Sequence, residues 1–144
     1  MSLNLDCQPG WSQFQSKCYK IFEEKKSWDE AQAICQEEGS NLASITNSSN
    51  NQFLEDLIVK TPVEYPWIGA YLFSAELKEF KWIDGTPFVF EHWDTDQPIY
   101  NPAEACVEFV NGKWHDFPCD FPRAFICQKI EGNDKIKFCK RGIH

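Results

Sequence analysis

The chain has 144 residues and a formal net charge of −8, from 14 basic and 22 acidic side chains. That length suits one domain, able to bury roughly 70% of its unfolded surface, and an aromatic content of 15%, with six Trp and twelve Phe, excludes a disordered chain. The acidic balance disfavours nucleic acid and direct insertion into anionic membranes, and no stretch approaches the ~20 consecutive apolar residues of a membrane span.

Residues 1–6 read as a cloning scar or N-terminal extension, too short for a secretory signal. "GWSQFQSKCYKIF" alternates weakly and predicts a short hairpin next to Cys7 and Cys18. "SWDEAQAICQEEG" predicts a helix with both ends written in. Ser27 and Glu30 make a capping box, Gly39 a stop, and Trp28, Ala31, Ile34 and Cys35 share one side. The inward Cys35 implies a tie to a distant part of the chain. "SNNQFLEDLIVK" predicts a second helix, capped by Ser49 and Gln52, with Phe53, Leu54, Leu57 and Ile58 on one face. Asn47-Ser48-Ser49 is an N-glycosylation sequon beside its start.

Beyond Pro66 the pattern changes. "WIGAYLF" and "FKWIDGTPF" predict buried strands, the second closing at an Asp-Gly turn. Residues 84–105 hold Pro87, Pro98 and Pro102 with little periodicity, and a long loop inside a small domain is commonly functional. "ACVEFVNGKWHDF" predicts a hairpin turning at Asn111-Gly112, and "RAFICQKI" a last strand. Residues 129–144 form a basic tail of net +3, which leaves residues 1–128 at −11. That acidic body suits a cation or a basic partner, although solubility alone accounts for it equally simply.

Seven cysteines with no CxxC pair argue for a disulfide framework, hence a secreted protein or the extracellular part of a membrane protein. The odd one, Cys139, lies in the tail. If exposed it would permit a disulfide-linked dimer; otherwise it is a thiol that is free or separated from its partner.

Taken in order, these pieces resemble a C-type lectin-like domain of the long form across about residues 7–128. The matching stretches are "CQPGWSQFQSKCY", the Ser27–Gly39 helix, "NLASI", "WIGA", "WIDGTP", "EACVEF", "WHDFPC" and "FICQK". The resemblance implies an α+β fold in which two helices flank small antiparallel sheets and a long irregular loop carries the ligand. It also implies the pairs Cys7–Cys18, Cys35–Cys127 and Cys106–Cys119, a connectivity that spacing alone does not choose.

In sugar-binding members of that family one calcium ion is held by a Glu/Gln-Pro-Asn/Asp triplet, by a glutamate two residues before the next cysteine, and by the Asn-Asp of a strand motif. Calcium is a hard cation that takes six to eight oxygens, which explains those residue types. Here the triplet is Gln97-Pro98-Ile99, the glutamate is Glu104, and His115-Asp116 stands where Asn-Asp is expected. Gln97, Glu104 and Asp116 are therefore the candidate calcium ligands. Ile99 has no donor, and imidazole is a poor calcium ligand but a good one for zinc or copper.

Asn101 is a candidate to replace Ile99, and a Gln-first triplet leans toward galactose-type sugars. The altered set predicts calcium binding that is weak or absent. Recognition of a glycan or an extracellular protein through the segment from Asp84 to Glu104 and the His115–Asp116 strand then stands beside the calcium-dependent lectin as alternative readings. His92 near Asp94 and Asp96 reads as a solvated loop histidine or as a further metal ligand. Tyr100 reads as a stacking platform or as a cover for the prolines. His115 and Asp116, as strand neighbours, point to opposite faces and make a poor base and orienter, and no nucleophile motif appears, so no enzyme is expected.

Overall fold

The computed structural model describes residues 7–103 and 105–130; Glu104, Cys139 and the rest of the tail lie outside the described residues. Strands β1 (Ser12–Phe14) and β2 (Lys17–Lys26) form the first hairpin. Helix α1 (Trp28–Glu37) follows, with the reciprocal Ser27–Glu30 box in place: the Glu30 N–H donates to Ser27 Oγ at 3.2 Å and the Ser27 N–H to Glu30 Oε1 at 3.1 Å. Trp28, Ala31 and Cys35 are its buried apolar residues, and Gln32 is buried with them because its side chain bonds Asn41 and the Leu42 N–H.

After the short β3 (Asn41–Leu42) comes α2 (Ser48–Ile58), where the cap differs from the expected Ser49–Gln52 pair. Asn47 is the cap: its Oδ1 accepts from the Asn50 N–H at 2.8 Å, and Asn50 Oδ1 reaches back to the Thr46 N–H at 3.2 Å. Gln52, already a full turn inside the helix, donates instead to Asp56.

Strands β4 (Trp67–Ser74), β5 (Glu79–Trp82), β6 (Cys106–Val110), β7 (Lys113–Phe117) and β8 (Arg123–Lys129) complete the chain. The strands join in one eight-stranded network, ordered β1-β2-β8-β4-β6-β7, with β3 added to β8 and β5 to β4. The pairings are antiparallel except β4 with β8, which meet in parallel at Trp67 and Phe125. The β6–β7 hairpin turns through Asn111 (φ 51°) and Gly112 (φ 80°), the paired left-handed residues that a two-residue hairpin needs.

Two apolar clusters fill the interior. One gathers Ile45, Leu54, Ile68, Phe109, Trp114 and Ile126 between α2 and the sheet; the other gathers Trp28, Leu42, Trp67 and Phe125 under α1. Two indoles of the second cluster satisfy their N–H groups on backbone, Trp28 on Ile68 C=O at 2.8 Å and Trp67 on Lys26 C=O at 3.0 Å. Disulfides link Cys7 to Cys18 in the first hairpin, Cys35 of α1 to Cys127 of β8, and Cys106 of β6 to Cys119. Between β5 and β6 the described residues, 83–103 and 105, form no strand of their own, and this loop lies along the edge left open by β7.

Candidate functional site

The loop is docked on β7 by backbone first. The Trp114 N–H donates to His92 C=O at 3.0 Å and the Asp94 N–H to Trp114 C=O at 3.1 Å, so His92–Asp94 extends the sheet by one bridge. The Trp93 ring meets Trp114 edge-on with centroids 5.5 Å apart, anchoring that bridge on the core. From there the loop turns sharply, with Asp96 and Tyr100 at positive φ (66° and 63°) and a cis peptide between Gln97 and Pro98.

This turn brings Gln97 and Asp116 together and joins them to each other. The Asp116 N–H donates to Gln97 Oε1 at 3.1 Å. The Asp116 carboxylate, on a side chain only 2% exposed, accepts from the Ile99 N–H at 3.0 and 3.1 Å and from the Tyr100 N–H at 2.9 Å. Two backbone donors thus face the oxygens that a cation would need. Burial is compensated because these N–H groups take the place of the water that the carboxylate oxygens give up.

The other candidates point elsewhere. His115, on the opposite face of β7, contacts Asp94 Oδ2 through Nε2 at 2.8 Å. That contact, with the Thr95 N–H on the same carboxylate at 2.8 Å, holds Asp94 below the usual carboxylate range. Asn101 is exposed and spends its Oδ1 on the Ala103 N–H at 2.9 Å, an Asx turn. The Ile99 side chain is 53% exposed. His92 stacks on Phe90, with centroids 5.9 Å apart and planes at 13°, while its loop neighbour Asp94 goes to His115. Tyr100 packs against Phe80 at 5.8 Å, with the Lys78 ammonium 5.5 Å from its ring centroid.

Glu104 lies outside the described residues, and the remaining donor set is small for calcium. Its oxygens are two amide acceptors and one carboxylate already bonded to N–H groups, against the six to eight that the ion takes. Among the described residues no three His, Cys, Asp or Glu side chains group in a way that could hold a metal. The backbone N–H groups of Ile99 and Tyr100 are the partners that sequence reading missed, since a backbone donor has no sequence signature. An isoleucine opposite an intact aspartate was the available hint.

The family profile described as the Lectin C-type domain matches residues 24–129. The chain belongs to the C-type lectin domain family. The versican core protein of Homo sapiens is 33% identical over 125 residues, covering 83% of this chain and 4% of that protein, so the chain spans a small part of the curated relatives it matches. Among solved structures, a calcium-independent type II antifreeze protein superposes with a TM-score of 0.81 at 27% identity, covering 88% of this chain and 96% of that one. The carbohydrate-recognition domain of cow CD23, solved in the presence of a GlcNAc2Man3 oligosaccharide, gives 0.78 at 30% identity, covering 88% and 98%.

Proposed function

We propose that this C-type lectin domain is an extracellular, non-enzymatic recognition module that binds a glycan or a protein through its long-loop region, with a calcium corner that takes the ion weakly or not at all. The latch on Asp116 carries the reading. For calcium to bind there, the Ile99 and Tyr100 N–H groups would have to leave the carboxylate, and Gln97 the Asp116 N–H, with no further oxygen from Ile99 in return. A relative of the same fold is described as calcium-independent, which shows that calcium is not a requirement of the architecture.

Three disulfides support an extracellular setting, and among the described residues no helix is long and apolar enough to cross a membrane. The absence of catalysis rests on His115 and Asp116 facing apart and on every described cysteine being in a disulfide. Asn47 belongs to the same proposal as an N-glycan acceptor, because it is exposed and caps α2 through its oxygen, leaving the amide nitrogen for the sugar.

The test is calcium titration of metal-stripped protein by calorimetry, with Glu104→Ala alongside. The expected result is no saturable heat and no calcium-dependent rise in melting temperature up to about 10⁻³ M calcium. A dissociation constant of about 10⁻⁶–10⁻³ M that disappears in Glu104→Ala would establish the calcium-dependent, galactose-leaning lectin instead.

A further inference from the structure

Next to the Asp116 corner, and sharing Tyr100 with it, a groove of about 670 Å³ runs along β5, with residues 77–82 on one side and Gly85, Phe88, Glu91 and Tyr100 on the other. Among the described strands β5 pairs only with β4, so one of its edges faces the groove. Which atoms lie on that edge follows from the register. The Ile83 N–H donates to Gly69 C=O, and the Leu72 N–H turns away from β5 to Ala105 C=O. Ala70 opposes Trp82 and Leu72 opposes Phe80, so the backbone groups of Phe80 and Trp82 point away from β4, into the groove side.

Trp82 C=O is taken by the Gly85 N–H at 3.0 Å. Phe80 N–H, Phe80 C=O and Trp82 N–H have no partner among the described residues, and neither has the Trp82 indole Nε1–H, whose residue is only 2% exposed. Beneath this edge the Phe80, Phe88 and Tyr100 rings form an aromatic bed, with Phe80–Phe88 centroids 6.3 Å apart. Leu77, 70% exposed, stands at the mouth.

We infer that this groove receives an extended, basic segment of a partner protein, which adds to the open edge of β5 as a further strand. This rests on the recognition reading above and names its partner class. A donor, an acceptor and a second donor repeating at roughly 6.8 Å are the complement of another polypeptide backbone. The aromatic bed takes the alternate side chains that point inward. The charge fits a cationic segment through the field of the whole domain: the groove's own Lys78 and Lys81 are matched by Glu79 and Glu91, whereas residues 1–128 carry a net −11. Glu79 is exposed on β5 itself.

The experiment is selection of a displayed library of random ten-residue peptides on the disulfide-intact protein, counter-selected on Leu77→Arg/Glu79→Lys, whose two positions are exposed and whose fold is checked by circular dichroism. The inference expects enriched peptides of net positive charge with apolar residues at alternate positions. It expects their affinity to fall at least tenfold when two alternate backbone nitrogens, but not the two between, are N-methylated. Enrichment that is indifferent to N-methylation or to the double substitution overturns it, as does no enrichment over the variant. Binding on a glycan array that the double substitution abolishes would make the groove a sugar site and also overturn it. The recognition reading is judged separately, since it falls only if the calcium titration saturates through Glu104.

Discussion

Asp116 sets the character of the long loop because it is nearly inaccessible and its carboxylate is spent on two backbone N–H groups. Asp116→Ala is expected to cost about 2–4 kcal/mol in urea unfolding, since charge-assisted bonds contribute roughly 1.5–3 kcal/mol each and the orphaned donors stay part-buried. Hydrogen exchange gives the local readout: Ile99 and Tyr100 amides should lose protection while those of β6 keep it. Tyr19 offers a second test at the same scale. It is 1% exposed, and burial pushes its phenol up to about 12 from 10.0, partly offset by the Asn50 amide on its oxygen. The folded state therefore holds this proton more tightly than the unfolded one. The stability involved is complete below pH 10 and lost as pH rises through about 12. Tyr19→Phe should remove that part of the alkaline decline in melting temperature, and an unchanged decline would assign it to other groups.

The elements show what was legible and why. The first helix was readable to its ends because Ser27 and Glu30 cap each other locally, and the hairpin at Asn111-Gly112 because only a few residue types accept two positive φ angles in succession. The cap of α2 was not, since Asn47, Ser48 and Ser49 are all competent caps, and the choice falls on the one whose partner, Asn50, can also reach back to Thr46. Asn47→Ala should accordingly cost about 1 kcal/mol and Ser49→Ala less than about 0.5 kcal/mol. Chemical denaturation of the two variants compares them directly, and the reverse order would return the cap to Ser49. The loop divides in the same way. Residue types suggested a cation corner at Gln97 and Asp116, but its hydrogen bonds depend on a turn with Tyr100 at φ 63°, which no local pattern announces. Likewise, the open edge of β5 is a property of sheet order, invisible to a reading that sees one strand at a time.

At the scale of the whole molecule, the question is what holds a sheet assembled from distant segments. Strand β8 is its centre: it pairs with β2, β3 and β4, which all begin in the first half of the chain. Such contacts are costly in loop entropy, and the Cys35–Cys127 bridge, spanning a sequence separation of 92, restrains that loop in the unfolded chain. The Cys7–Cys18 bridge closes a separation of only 11, so the chain-entropy model gives about 4.6 kcal/mol for the first and about 2.8 kcal/mol for the second. Both pairs are to be replaced by alanine in separate variants and unfolded in guanidinium. The long-range variant is expected to lose about 2 kcal/mol more, with a further loss from the space left where Cys35 and Cys127, both 0% exposed, had packed. Equal losses would mean that the unfolded chain already keeps α1 near β8, so that the bridge records a contact the sequence makes without it. A larger loss from the hairpin variant would move the clamp to the β1–β2 edge, where Trp11 and the Lys129 ammonium meet 4.2 Å apart.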